Sequence, residues 1–470
     1  MGNLRLFTPE FVVLAGTLVA FLVSAIGASR VWTWRIAIHL GAVAVGAAAM
    51  FLQSSGHPFF HDVYKVDAFS QLLKLGIVTG LFLTLLLCEH TQSLRDDAYV
   101  DLPIFLFIST LGMMMLVSAT ELLTLYVSLE LSAYGMYIMA ALHKLRRQGT
   151  EAGAKYILFG AASSAVTLYG ISLIYGATGS TYLVQIPAAG ASPMLIAGAV
   201  LALSGLAFKL ALFPFHAWAP DAYQGAPHQV VTFIATASKV AAVGALARVL
   251  APFAHDPKQL QTALLVVCVA SMTLGNLAAI VQKDVKRLLA YSTVAHAGYI
   301  TIGLLTFSKV GFAAAVFYTM IYVPVSLCAF VVVCAVGSDG RNPTFDDLAG
   351  LYSRSPLMAA ALLVGMFGLA GIPPTAGFFG KWFLFVAALD NNLFWLVFVA
   401  AINATISMYY YLRVLKEAYL TPPGDRPKIR LPDGIAVAAC LAIVLVLAAG
   451  VYPGPLWDLA TDAARALMGA

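Results

Sequence analysis

Runs of about 20 consecutive apolar residues recur from one end of this chain to the other, and they leave few choices of fold. They lie near residues 8–27, 33–52, 67–88, 102–117, 121–142, 153–177, 193–216, 228–252, 260–281, 288–306, 310–336, 355–388, 391–415 and 434–453. That makes about fourteen segments of bilayer-crossing length. A backbone in hydrocarbon must satisfy its own hydrogen bonds, so each segment is expected to be a helix. Composition agrees. The chain is 61% hydrophobic and only 10% charged, where a soluble domain is about a quarter charged. The expected class is an all-α integral membrane protein without a soluble domain.

The net charge of +5 reads as topology. One set of connections is basic and includes Arg95, Lys144, Arg146, Arg147, Lys283, Lys286 and Arg287. The alternate set, with both termini, carries Arg5, Lys65, Lys258, Lys309 and Arg465. This asymmetry predicts the first set in the cytoplasm and both termini outside. The first apolar run lacks a basic start and an A-x-A end, so it reads as a span and not as a cleaved signal. Cys88, Cys268, Cys328, Cys334 and Cys440 sit in or at the ends of apolar runs with no C-x-x-C pair. They suggest neither an iron–sulfur or zinc site nor a disulfide framework. The chain has no GxGxxG and no Walker loop, which excludes NADH binding or ATP hydrolysis by those routes.

The chemistry gathers around LALSGLAFKLALFPFHAWAPDAYQGAPHQVVTFIATASK, residues 201–239. An apolar run carries Lys209, is broken at Pro214, turns, and resumes to carry Lys239. Pro214 removes a backbone donor, and irregular backbone at depth is tolerated only where protein or water covers it. A lysine within a span costs about 2.5–3.5 kcal/mol on insertion scales, so both should be paired or line a polar path. Lys209 and His216 share a face if the helix persists between them. His216 reads equally as a local cap or as a proton relay. Thr232, Thr236 and Lys239 form a polar stripe. The run at 355–388 repeats the design, with Gly371-Ile-Pro-Pro374 as the break and Lys381 following at depth. Duplicated broken helices are a mark of transporter architecture.

Other candidates lie on unbroken spans. Glu130, midway along its span between Tyr126 and Tyr134, is the one carboxylate expected deep in the membrane. Helix packing requires no carboxylate there, which favours function. Glu121 reads as a helix-start carboxylate. His296, one turn from Ser292 and from Tyr299, reads as a relay. Lys155 opens its span and reads first as a basic anchor. The alternative is a partner reaching toward Glu130. Lys74 either snorkels to the interface or is buried.

These stretches resemble a family. VSATELLTLYVSLELSAYGMYIMAAL, TEAGAKYILFGAASS, AFKLALFPFHAWAPDAYQGAP, KRLLAYSTVAHAGYI and LAGIPPTAGFFGKWFLF are similar to subunit N of proton-translocating NADH-quinone oxidoreductase, respiratory complex I. The resemblance covers most of the chain. It implies fourteen transmembrane helices with two inverted five-helix repeats and discontinuous helices 7 and 12. The corresponding division is 1–101, a three-helix start; 102–252 and 253–417, the repeats; and 418–470, a loop, a last helix and a tail. It also implies that Glu130 pairs with Lys209, and that Lys239, His296 and Lys381 continue a proton relay, with Lys155 as a further family position. Lys381 favours subunit N over subunit M, where Glu is expected. Departures are Ala237-Ser238-Lys239 in place of Ala-Pro-Lys, and His228 in place of Thr. NADH, FMN, iron–sulfur clusters and quinone are then expected in partner subunits, with neighbouring antiporter-like subunits and lipid around this chain in a bacterial inner membrane. The alternative is a subunit of a multisubunit cation/proton antiporter or a membrane-bound hydrogenase. Low carboxylate content argues against sodium, since hard cations want oxygen ligands.

Overall fold

The computed structural model describes residues 2–27, 29–52, 57–89, 96–142, 147–187, 190, 192–255 and 258–469. Arg95, Lys144 and Arg146, part of the expected basic set, lie outside them. In chain order the helices are α1 Thr8–Ala25, α2 Arg30–Met50, α3 Ala68–Cys88, α4 Asp96–Ser118, α5 Leu122–Ala140 and α6 Arg147–Thr178. Then follow α7 Pro193–Ala202, α8 Ser204–Leu210, α9 Trp218–Gly225, α10 His228–Ala235, α11 Ala237–Leu250, α12 Lys258–Ile280, α13 Val285–Leu304 and α14 Lys309–Val336. The last are α15 Leu351–Arg354, α16 Pro356–Ala370, α17 Ala376–Asp390, α18 Phe394–Leu420, α19 Asp433–Val451 and α20 Gly454–Met468.

Among the described residues, 12 helical stretches are long and apolar enough to cross a membrane, and the protein is a multi-pass membrane protein. Two expected spans differ from the rest. α13 has 20 residues but carries Lys286, Arg287, Ser292, Thr293 and His296. The run at 355–388 is divided into two 15-residue helices, α16 and α17. Among the described residues, one hairpin departs from the all-helical expectation. β1 His57–Phe59 pairs antiparallel with β2 Tyr64–Val66, His57 opposite Val66. This hairpin lies between α2 and α3, where the chain has left the apolar runs and can form a strand ladder.

Helix starts follow from local chemistry. Asp67 and Ser70 form a reciprocal capping box at α3, satisfying two amides that the helix cannot. Glu121 accepts from Leu123 N at 3.0 Å and Thr124 N at 2.7 Å, the helix-start role expected of it. Asp284 caps α13 through Arg287 N at 2.9 Å.

The centre of the bundle is α14, which packs against α3, α10, α11, α13, α16, α17, α19 and α20. The stretch through α10 and α11 is wholly enclosed. α3 runs antiparallel to α11 at close range. A Cβ on Gly80 would lie 3.0 Å from Ala237 Cβ, one on Gly76 would lie 3.3 Å from Val240, and one on Gly244 would lie 2.5 Å from Leu73. These contacts fix the relative height of the two helices.

Two buried ion pairs join the first helices to this centre. Arg248 of α11 grips Asp67 through Nη2–Oδ1 at 2.9 Å and Nη1–Oδ2 at 3.1 Å, and its Nε donates to Val117 O at 2.8 Å. Lys74 does not snorkel. It has no exposed surface and meets Glu10 Oε1 at 2.5 Å. Glu130 is therefore not the sole carboxylate taken into the interior, because Glu10 and Asp67 are more buried than it is. Sequence position hid both, since each sits at a helix start that looks interfacial until the hairpin covers it.

Candidate functional site

Both interrupted runs end in the same way. α8 stops at Leu210 with Ala211 in the left-handed region, φ 61° and ψ 39°. The amide of Leu212 returns to Ala207 O at 2.9 Å. α16 stops at Ala370 with Gly371 at φ 83° and ψ 43°, and Ile372 N returns to Phe367 O at 2.9 Å. This six-to-one closure ends a helix sharply and leaves last-turn carbonyls free. In the first run the break falls three residues ahead of Pro214, so Lys209 and His216 do not share a helical face. His216 lies half-buried in the turn with its ring 5.8 Å from that of Phe213, and it forms no hydrogen bond to the other candidates. The two runs also differ in order. Lys209 precedes its break, whereas Lys381 follows its own.

A further interruption, in the run at 228–252, was not legible in the sequence. At Thr236 the backbone takes φ −110° and ψ −85°, separating α10 from α11. Thr232 Oγ1 donates to His228 O at 2.9 Å and Thr236 Oγ1 donates to Thr232 O at 2.7 Å. Hydroxyls that bond back into the preceding turn loosen a helix, and Lys239 follows this loosened turn.

The freed carbonyls receive the buried ammonium groups. Lys239 Nζ donates to Lys209 O, in the last turn of α8, at 2.9 Å. Lys381 Nζ donates to Leu369 O at 3.0 Å and Ala370 O at 2.7 Å, the last turn of α16. A helix C-terminus carries partial negative charge, so each break supplies a cation site without a carboxylate. Aromatic faces complete both sites. Lys239 lies 5.2 Å from the Trp218 ring centre and Lys381 5.0 Å from that of Tyr299. Trp218 is itself fixed by Nε1–H to Phe208 O at 2.8 Å.

Lys209 Nζ donates to Ser132 Oγ of α5 at 2.7 Å. Glu130, two residues earlier on α5, is half-buried and accepts from Ser164 of α6. Its carboxylate forms no direct ion pair with Lys209. In this structure the Glu130–Lys209 pair implied by the resemblance is open, and each group contacts a serine instead.

His296 sits in a cage of buried tyrosines. Its Nδ1 is 2.7 Å from Tyr318 OH and its Nε2 is 2.9 Å from Tyr411 OH, which is 2.5 Å from Ser292 Oγ. Hydroxyls donate or accept as required, so the ring finds partners in any protonation state. Tyr322 OH donates to Thr293 Oγ1 at 3.0 Å beside it. Tyr223 of α9 is buried nearby, and the Tyr299 ring lies 6.0 Å from the His296 ring and 5.0 Å from Lys381 Nζ. The tyrosines were missed in the sequence apart from Tyr299. The Tyr318/Tyr322 spacing of one turn and the Tyr409-Tyr410-Tyr411 run were the available signals.

Lys155 does not reach Glu130. It bridges Glu151 at 2.7 Å and Asp221 of α9 at 2.8 Å, and Asp221 also takes Arg287 Nη1 at 2.7 Å. Burial alone would raise the Asp221 carboxyl, but hydrogen bonds from Lys155 and Arg287 outweigh it and hold the group below the usual carboxylate range. Lys286, placed by the sequence in a basic connection, is likewise not exposed. It is fully buried and donates to Ala226 O at 2.7 Å, Asn342 Oδ1 at 3.1 Å and Gln224 O at 3.2 Å. An open polar cavity of about 220 Å³ sits beside these groups, lined by Gln148, Gln224, Asp284, Arg341 and Asn342 among others.

Broken helices, lysines held on their ends and a histidine–tyrosine cage define a class: a polytopic helical protein with several ionisable groups in its interior. The family described as NADH:quinone oxidoreductase/Mrp antiporter, TM matches residues 119–407. NADH-quinone oxidoreductase subunit N 2 of Syntrophobacter fumaroxidans is 44% identical over 99% of this chain and 100% of its own length. A chain in the structure of respiratory complex I from Thermus thermophilus with bound aureothin superposes with TM-score 0.85 at 34% identity, covering 97% of this chain and all of that one. A chain of the Mrp complex from Dietzia sp. shares the fold, with TM-score 0.89 at 22% identity over 99% of this chain and 98% of that one. The chain belongs to the antiporter-like membrane-subunit family of NADH:quinone oxidoreductase, on its subunit N side.

Proposed function

We propose that this chain is a proton-translocating membrane-arm subunit of an NADH-quinone oxidoreductase, and that protons cross its interior by way of Glu130, Lys209, Lys239, His296 and Lys381. The observation that carries the reading is the pairing of each central lysine with a helix break, Lys239 on Lys209 O and Lys381 on the carbonyls of Leu369 and Ala370. α13 and the α16–α17 pair complete a set of fourteen spans, arranged as two inverted repeats after a three-helix start. The chain lies in a bacterial inner membrane with its termini on the outer side, following the asymmetry of its basic connections.

Electron transfer takes place in partner subunits that carry NADH, FMN, iron–sulfur clusters and quinone. This chain responds electrostatically. Glu130 and Lys209 associate when their serines release them. Two unit charges about 4 Å apart at an effective dielectric of about 20 interact by roughly 4 kcal/mol. That changes the proton equilibrium on Lys209 by about a thousandfold. Lys239, which shares the Lys209 backbone as its anchor, feels the change next. His296 accepts a proton within its tyrosine cage and passes it toward Lys381. Lys155 and His216 are assigned secondary roles, Lys155 in fixing α9 and His216 in the first turn.

The test is purification of the tagged chain from its native membranes in mild detergent, with identification of what accompanies it. NADH-oxidising, iron–sulfur and quinone-site subunits are expected. Recovery with antiporter or hydrogenase partners instead would keep the proton path and replace the driving reaction.

A further inference from the structure

A second set of buried charges lies outside the path just described. Glu10 of α1, Lys74 of α3 and Tyr64 of β2 meet at one point. Lys74 Nζ and Tyr64 OH both approach Glu10 Oε1 at 2.5 Å, and Lys74 Nζ also lies 5.3 Å from the Tyr64 ring centre. Glu10 is 6% exposed, Tyr64 4% and Lys74 0%. A carboxylate has about four acceptor sites and an ammonium has three donors. Here one oxygen takes both contacts while Glu10 Oε2 is buried without a protein partner. Gln71 Oε1, one turn from Lys74, is buried and unpartnered too, and Ser118 lies beside Tyr64 through the Tyr64–Ala119 bridge. Orphaned polar atoms gathered in one place are the signature of a site completed by internal water.

Its position matters. Leu73 of α3 faces Gly244 and Gly76 faces Val240, so Lys74 stands about one helical turn from the level of Lys239, toward the end that carries the N-terminus and the hairpin. The other charges packed around it are accounted for. Asp67 is bound by Arg248 and approached by Lys65 at 3.8 Å, and Lys65 is part-exposed on the hairpin strand above. Neither neighbour neutralises Glu10 or Lys74. A site held only for packing would be served as well by apolar residues, since a buried ion pair contributes little net stability.

We propose that Glu10, Lys74 and Tyr64 form a hydrated proton-exchanging site, one turn outward from Lys239, that gives the first half of the chain its own proton release point. A proton arriving by water from Lys239 is taken by the Glu10 carboxylate as the contact to Lys74 loosens. It leaves to the outer solution past the hairpin, and the pair closes again; no bond other than O–H or N–H forms or breaks. This rests on the proton-path reading above.

The experiment is made on the assembled complex in proteoliposomes, with Glu10→Gln, Lys74→Met and, as a control for the main path, Lys209→Ala. Two readouts are taken: protons moved per electron pair, and the infrared difference spectrum on stepping the outer pH. The proposal expects Glu10→Gln and Lys74→Met to lower the proton-to-electron ratio, with Glu10→Gln losing a carboxyl band seen in the unaltered complex. A wild-type ratio and an unchanged band in Glu10→Gln, with Lys209→Ala defective, overturn the proposal alone. A wild-type ratio in all three overturns the proton-path reading as well. If Glu10→Gln fails to assemble, the double exchange Glu10→Lys with Lys74→Glu decides. Restored assembly with full pumping identifies a purely structural pair and overturns the proposal, whereas restored assembly with reduced pumping supports it.

Discussion

Lys239 Nζ donates to the backbone carbonyl of Lys209 at 2.9 Å, so one buried lysine is anchored on the backbone of another. The carbonyl is available because α8 stops a residue later. Lys209 is thereby both a charge and, through its backbone, the anchor for the next charge. Any movement of the α8 end toward Glu130 moves the Lys239 site with it. Lys381 is held in the same manner on the end of α16. The shared device is a helix break that supplies carbonyl oxygen to an ammonium group in a place where few carboxylates are available.

The breaks make a paired prediction. Gly371 takes φ 83°, and a Cβ there would lie 2.9 Å from Lys381 Cδ. Gly371→Ala therefore adds left-handed strain of about 1–2 kcal/mol and crowds the lysine. It should lower the thermal midpoint of the purified complex and reduce pumping. Ala211 already bears the same kind of strain at φ 61°. Ala211→Gly should relieve it and raise the midpoint, partly offset by about 0.4–1 kcal/mol of unfolded-chain entropy. Thermal unfolding followed by intrinsic fluorescence measures both.

The helical class, the broken runs and the lysines were legible because apolar length and a charge inside it are local signals. What stayed hidden depended on contacts between distant residues. The Thr236 interruption carries no Gly or Pro. Glu10 and Asp67 look interfacial until the hairpin and Arg248 enclose them. Lys286 reads as part of a basic connection, yet it ends on Ala226 O because the loop after α9 folds over it. The tyrosine cage comes from α13, α14 and α18, and only the fold brings Tyr318 and Tyr411 to opposite nitrogens of His296.

That cage can be tested by removing one hydroxyl. Tyr411→Phe deprives His296 Nε2 and Ser292 Oγ of their shared partner. A buried group left unsatisfied costs about 1–3 kcal/mol. The variant should assemble and pump more slowly, by roughly tenfold for each 1.4 kcal/mol added to the limiting step. Tyr409→Phe, at an exposed neighbour, should leave the rate unchanged. Initial rates of vesicle acidification distinguish the two.

Asp221 gives a pH dependence. Its folded carboxyl titrates below the ordinary value because Lys155 and Arg287 bind it. Such a group contributes stability above the unfolded pKa, about 3.9, and loses it as pH falls through the depressed folded value. Asp221→Asn should lower the thermal midpoint at neutral pH. The gap between variant and unaltered protein should close as the pH drops below about 4. A midpoint series across pH on both proteins checks the sign.

The most direct test of the account is the proton-to-electron ratio of the complex carrying Lys239→Met, a neutral side chain of similar length at the residue anchored on Lys209. The account predicts an assembled complex that moves fewer protons per electron pair than the unaltered one. An assembled Lys239→Met complex with an unchanged ratio would contradict the claim that protons cross this chain through its buried lysines.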